Sequence, residues 1–259
     1  MDRPLIMITN DDGIHSPGLK AAAEAVADMG DLLIAAPHTQ QTGMGRAFPY
    51  TEETGIIDAV EISINGRLHT AYAVHGSPAY AVAHGVLELA GRKPDLCISG
   101  INYGENLGTT ITCSGTLGAA FEANSYGIPA IAVSISAELR KQRLNEFDEI
   151  DWNSSKKILQ IYTEQVLTEG MPKDVGVWNI NVPAGMKEPY TYRITSQSVQ
   201  NYFNFIRPPK RNYREPYRLK SKLEVDRETL EKDSDIYAIY IDQIISVTPL
   251  KIQMSARVL

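Results

Sequence analysis

The sequence predicts an α/β protein built on a mostly parallel sheet with helices on both faces, plus an extended hairpin or arm in the C-terminal half. Three observations carry this reading. Short, almost wholly apolar segments recur, among them PLIMIT (4–9), DLLIAAP (31–37), PDLCISG (94–100) and IPAIAVSI (128–135). Helix-patterned stretches separate them, and strands buried on both faces read as unbroken apolar runs, as a covered parallel sheet requires. The stretch 187–222 breaks the pattern, with nine Lys or Arg against two Glu and Tyr at 190, 192, 202, 213 and 217.

Taken in order, PLIMIT is the first strand, and 17–30 is a helix with Pro17 near its start and Gly30 at its end. DLLIAAP is the next strand, stopped by Pro37. AVEISI (59–64) and RLHTAYAV (67–74) flank Asn65-Gly66, a pair suited to a two-residue hairpin turn. A helix follows over 77–91, with Ser77 as N-cap and Pro78 just after it. PDLCISG is a core strand, 114–127 a helix opening on Ser114, and IPAIAVSI a further strand. An amphipathic helix is expected over 152–172, a strand at VGVWNINVP (175–183), and a strand-like return at IYAIYIDQIISVTPL (236–250). Met7 and Met29 read as core fillers.

The chain has 259 residues, 43% hydrophobic and 22% charged, enough for a sizeable core. A formal charge of −6 argues against a nucleic-acid polymer or membrane surface as partner. No apolar run approaches the ~18 residues of a membrane span, and no signal-peptide pattern opens the chain. Cys97 and Cys113 are too few for a disulfide framework or a zinc cluster, so reduced thiols and a cytoplasmic setting are expected.

Chemistry concentrates where strands end. Asn10, Asp11 and Asp12 follow the first strand, and ligands of open parallel sheets bind outside the carboxyl ends of strands. Adjacent strand residues point to opposite faces, so the two carboxylates converge only where the chain is already turning, which Gly13 permits. A hard divalent cation, Mg²⁺ or Mn²⁺, would offset their repulsion. On this stretch alone, a helix-capping pair facing water is the competing reading. Two further loops favour the cation. HTQQTGMG (38–45) supplies the Thr42 hydroxyl with Gly43 and Gly45, and INYGENLG (101–108) supplies Asn102, Gly104, Asn106 and Gly108. CSGT (113–116) then opens a helix, where backbone N–H groups and the Ser114 and Thr116 hydroxyls suit an anion.

TNDDG, AAP followed five residues past Pro37 by a hydroxyl and Gly, SGINYGENLG, SGT, NINVP and the terminal ISVTPL together resemble the SurE family of survival-protein nucleotidases, from about residue 5 to about residue 250. The resemblance implies a Rossmann-like α/β core with a hairpin-bearing part used in assembly. It thus implies a catalytic core at 1–136 and a C-terminal part at 137–259 with the arm at about 187–222, in a homodimer or homotetramer. It implies a phosphatase acting on nucleoside 5′- and 3′-monophosphates, some members also on short polyphosphate, with one divalent ion per subunit (Mg²⁺ or Mn²⁺, with Co²⁺ a further candidate). Metal ligands would fall on Asp11, Asp12, Thr42 and Asn102. Substrate phosphate would meet Asn10, Gly43, Asn106, Ser114, Gly115 and Thr116. The chain departs from the usual pattern at Thr42, where Ser is common, at Arg46-Ala47-Phe48, and at Tyr80, where an acidic residue is common.

The mechanism expected is hydrolysis of a phosphomonoester by a metal-activated water. Asp11 or Asp12 acts as general base and Asn106 with the Ser114 helix start neutralises charge on the phosphoryl group. A phospho-aspartyl intermediate is the alternative route. His15, His38, His69, His75 and His84 show no H-x-x-x-H or similar spacing, which argues against a histidine metal site, although His38 is placed to protonate a leaving alkoxide. Arg46 reads equally as a phosphate contact or a solvated charge, and the Tyr/Arg arm more as an intersubunit surface than a base-stacking one. A non-catalytic nucleotide- or sugar-binding module is the rival class. A nicotinamide dehydrogenase is disfavoured because G-x-G-x-x-G is absent.

Overall fold

Nine strands from both halves of the chain join in one sheet, in the order β3-β4-β2-β1-β5-β6-β7-β11-β8. The structure, a computed structural model, describes residues 3–137 and 150–255. Its strands are β1 (Leu5–Thr9), β2 (Asp31–Pro37), β3 (Ile57–Ile64), β4 (Arg67–Val74), β5 (Leu96–Tyr103), β6 (Ala130–Ile135), β7 (Val177–Val182), β8 (Tyr192–Ile194), β9 (Phe203–Phe205), β10 (Ser221–Leu223) and β11 (Ile245–Leu250). The α-helices are α1 (Pro17–Val26), α2 (Pro78–His84), α3 (Gly115–Ser125) and α4 (Asn153–Glu169). From β4 through β7 the sheet is parallel; β3 pairs antiparallel with β4, and β11 antiparallel with β7. The mostly parallel α/β class expected from the apolar strands is the class observed. Positions 1–2, 138–149 and 256–259 of the two-part division lie outside the described residues.

Period-two alternation sorts the sheet into two cores. Ile6 and Ile8 of β1 pack with Leu19 and Ala22 of α1 and Ile158 and Leu159 of α4. Leu5 and Met7 face the other way, onto Val82 of α2 and Leu117, Ala120 and Phe121 of α3. Each of the first three helices opens on a serine whose hydroxyl accepts a backbone N–H: Ser16 from Leu19, Ser77 from Tyr80 and Ser114 from Leu117. These caps fix where each helix starts, and so where the strand-end loops must turn.

Order matters for function. From β1 the chain steps through α1 to β2 on one side, while β5 lies on the other side of β1. The strand order therefore reverses between β1 and β5, and the crevice outside the carboxyl ends at such a reversal is where open α/β sheets bind ligands. In β5 the pairing register with β6 shifts between Ser99 and Asn102. A Cβ on Gly100 would lie 2.2 Å from the Val133 carbonyl oxygen, so this bulge, which aims Asn102 and Tyr103, requires glycine there.

Three segments differ from the sequence expectations. The helix expected over 77–91 ends at His84 and continues as a π-helical turn, Gly85–Leu89. IYAIYI is helical, not the start of a strand: Ser234 Oγ accepts from Tyr237 N, and the Asp235 carboxylate accepts from Ile236 N. Such side-chain-to-backbone bonds start a turn that β-branched composition alone does not foresee, and the strand begins only at Ile245. Within 187–222, β8 extends the main sheet beside β11, and β9 and β10 form a separate antiparallel pair.

Candidate active site

The site grows from the turn after β1. Asn10 is fully buried, and both ends of its amide go to Gly13: Nδ2 donates to Gly13 O and Oδ1 accepts from Gly13 N, each at 3.1 Å. This small ring holds the turn that carries Asp11 and Asp12. Asn10 is thus a turn-forming residue in this structure. Both aspartates are buried, at 3% and 5% exposure.

Asp11 meets the start of α3. Thr116 Oγ1 donates to Asp11 Oδ1 at 2.7 Å. A Cβ on Gly115 would lie 2.7 Å from both Asp11 Cβ and Oδ2, so the helix reaches the carboxylate only because that residue has no side chain. Asp12 is held by the loop after β2 and by the end of β5: Gln40 Nε2 donates to its Oδ1 at 3.2 Å and Tyr103 N to its Oδ2 at 3.3 Å. Among the described residues no Lys or Arg forms an ion pair with either aspartate. Burial pushes the Asp11 carboxyl up to about 6 despite the Thr116 bond. Burial, together with the Asp11 charge beside it, pushes Asp12 up to about 7.

Other predicted residues lie on loops that hydrogen-bond to this pair. The Gln41 N–H donates to the Asp11 carbonyl at 2.7 Å, which lays the 38–45 loop against the turn and leaves Thr42 and Gly43 on its exposed rim. Asn102, next to Tyr103, donates its Nδ2 to Gly104 O at 2.6 Å, which leaves Oδ1 as its side-chain acceptor. Asn106 Nδ2 donates to Ser134 Oγ at 3.0 Å and approaches Thr116 Oγ1 at 3.5 Å. Asp11, Thr116 and Asn106 are thereby linked in one polar chain. Ser114 serves as the N-cap of α3.

Several contributors escape sequence reasoning. Asn179 and Asn181 of β7, both fully buried, donate to the Asn106 carbonyl, and Asn181 Oδ1 accepts from Asn106 N at 2.7 Å. Two Asn at i and i+2 inside an apolar strand are the signal that could have found them. The C-terminal part braces the same loop, since Asp235 accepts from Gly108 N at 2.9 Å and Glu105 hydrogen-bonds Tyr202. Arg46 is engaged elsewhere: its Nε donates to Glu122, a buried carboxylate on α3, at 2.6 Å. His38 stacks on His75, ring centroids 4.2 Å apart.

This is a doubly wound α/β protein whose buried carboxylate pair, with no Lys or Arg ion pair among the described residues, lies beside a helix N-terminus at the reversal of strand order, where open α/β sheets bind ligands. The chain belongs to the SurE family, whose model, described as "Survival protein SurE", matches residues 6–204. It is similar to a "5'-nucleotidase SurE" of Methanothrix thermoacetophila, 38% identical with 98% of this chain and 94% of that one covered. A "5'-nucleotidase SurE" of Thermococcus gammatolerans is 37% identical, with 98% and 92% covered. Among solved structures, the SurE protein of Aquifex aeolicus matches at a TM-score of 0.74 and 31% identity, over 97% of this chain and 95% of that one.

Proposed function

We propose that this chain is a divalent-metal-dependent phosphomonoesterase that hydrolyses nucleoside 5′- and/or 3′-monophosphates. The observation that carries the reading is the Asp11–Asp12 pair, two buried carboxylates next to each other with no Lys or Arg ion pair among the described residues. Leaving such a pair uncompensated is costly, and an all-oxygen donor set fits a hard cation. The name 5′-nucleotidase carried by relatives that align over nearly the whole chain supports the substrate class.

In this reading Asp11, Asp12, Thr42 and Asn102 hold the ion, with Mg²⁺ or Mn²⁺ the first candidates. When bound there, such an ion would supply Lewis-acid polarisation of a phosphoryl oxygen and a lowered pKa for a water ligand. The chain's own residues do the rest. Asp11 or Asp12 takes the proton of the attacking water. The N–H of Asn106 that meets Thr116 only at 3.5 Å, with the N-terminal amides of α3, receives charge on the equatorial oxygens. Thr116 and the Asn179–Asn181 pair orient these groups. Exposed Phe205, Tyr213 and Leu219 on the arm form contacts between copies in a homodimer or homotetramer. Reduced Cys97 and Cys113 accord with a cytoplasmic setting, and no described helix is long and apolar enough to cross a membrane.

The test is phosphate release from nucleoside monophosphates by the purified protein with Mn²⁺ or Mg²⁺. The proposal requires release that EDTA abolishes and Asp11→Asn reduces by at least about 100-fold, the scale of one lost transition-state charge contact. Nucleotide binding without phosphate release would favour the non-catalytic alternative.

A further inference from the structure

A second group of ligating side chains lies at the start of the loop that carries Thr42. His38 follows the end of β2, Asp58 is on β3, and His75 follows the end of β4. Both imidazoles turn toward one carboxylate oxygen: His75 Nε2 is 2.9 Å and His38 Nδ1 3.9 Å from Asp58 Oδ2. The ligand atoms of the three all lie within 4.8 Å of one another. Three donors around a tetrahedral ion at about 2.0–2.1 Å stand roughly 3.3 Å apart, so the observed spacings bracket what such an ion needs. We propose that His38, Asp58 and His75 form a second cation site, selective for a borderline transition metal of the Zn²⁺ class and separate from the all-oxygen site at Asp11 and Asp12.

Chemistry and preorganisation both favour this. Two imidazoles and one carboxylate suit Zn²⁺ and its neighbours, whereas Mg²⁺ prefers oxygen alone. The other nitrogen of His75, Nδ1, lies 3.5 Å from Glu53 Oε2, the carboxylate–histidine–metal arrangement that fixes tautomer and raises ligand basicity. The backbone is already set: His38 N donates to Val74 O and His75 N to Ile56 O, each at 2.8 Å. Ring stacking further restrains the two imidazoles. His38, His75 and Glu53 line a cavity of about 180 Å³, so both imidazoles are reached from it, while the Asp58 side chain is half exposed. The ligands come from three separate strand ends, so the H-x-x-x-H spacing test could not see them. An ion here would pin the base of the 38–45 loop.

The experiment uses the full chain carrying Asp11→Asn and Asp12→Asn, stripped of metal, with Zn²⁺ alone followed by titration calorimetry and Co²⁺ alone by visible absorption. The proposal predicts one bound equivalent and a tetrahedral Co²⁺ band. Adding His38→Gln and His75→Gln removes both, and Glu53→Gln weakens binding roughly tenfold, the usual effect of losing an outer carboxylate. Asp58→Asn, on the exposed face of β3, independently loses the equivalent if the double histidine variant melts early. No bound Zn²⁺ in the Asp11→Asn/Asp12→Asn protein overturns the proposal, as does an equivalent that survives either set of substitutions.

Discussion

Replacing Gly115 with alanine adds one methyl group, and the structure says where it lands. The new Cβ would sit 2.7 Å from Asp11 Cβ and Oδ2 and 3.0 Å from Cγ. Ordinary carbon contacts lie near 3.5–4.0 Å, so the Asp11 side chain or the start of α3 must retreat by about 1 Å. Either movement disturbs the 2.7 Å bond from Thr116 and the aim of the carboxylate. A 1 Å misplacement at a reacting centre costs about 100-fold in rate. The stability effect is smaller and mixed in sign. Alanine favours helix over glycine by up to about 1 kcal/mol, while overpacking costs about 1–3 kcal/mol. Gly115→Ala should therefore melt within roughly 8 °C of the parent yet lose about two orders of magnitude in kcat/KM for Mn²⁺-dependent phosphate release. Activity within threefold of the parent would refute the close approach of α3 to Asp11 as a functional requirement.

Other consequences follow from the same geometry. Thr116→Val keeps shape but removes the donor to Asp11 Oδ1. A lost bond to a buried carboxylate is worth about 1.5–3 kcal/mol, so kcat should fall by roughly 10–150-fold, with Thr116→Ser restoring most of it. Asn181→Ala leaves Asn106 N without its acceptor and should lower both melting temperature and kcat; an unchanged kcat would mean that Asn106 needs no brace. Arg46→Ala removes the cation from the buried Glu122 carboxylate, leaving it the Tyr126 hydrogen bond, and should destabilise the fold by about 1–3 kcal/mol with KM unchanged, whereas a tenfold higher KM at constant stability would return Arg46 to the substrate. The aspartates set a pH dependence for the metal-free protein. Their folded values near 6 and 7 exceed the ordinary 3.8, so the folded state holds extra protons in between. Their contribution to stability is fully present below about pH 4 and is lost as pH rises through 6 and 7. Melting in EDTA, compared with Asp11→Asn/Asp12→Asn, should show this loss, and Mn²⁺ should reverse it above pH 7; a flat difference would contradict the burial argument.

What the sequence made legible follows from which interactions are local. β1, β2, β5, β6 and β7 stood out because strands covered on both faces must be apolar throughout. Asp11 and Asp12 stood out because charge directly after such a strand needs a reason. By contrast, three-residue strands such as β8, β9 and β10 are too short to show a period, and they exist through their partners. The helical turn at Tyr237–Ile241 depends on Ser234 and Asp235, and the Asp235 carboxylate also accepts from the backbone N–H groups of Ser198 and Gly108. Gly115 looked like one small residue in a phosphate loop; only the packing of α3 on Asp11 gives it a specific task. His38, Asp58 and His75 belong to three different strand ends, and spacing along the chain carries no trace of their meeting.

An anomalous difference map from crystals soaked in Mn²⁺ would show whether Asp11 and Asp12 share an ion. The expected result is a peak bounded by Asp11, Asp12, Thr42 and Asn102 with ligand oxygens at about 2.1 Å, lost in the Asp11→Asn protein. A peak absent from that crevice, or carboxylates of Asp11 and Asp12 turned away from a common point, would contradict it.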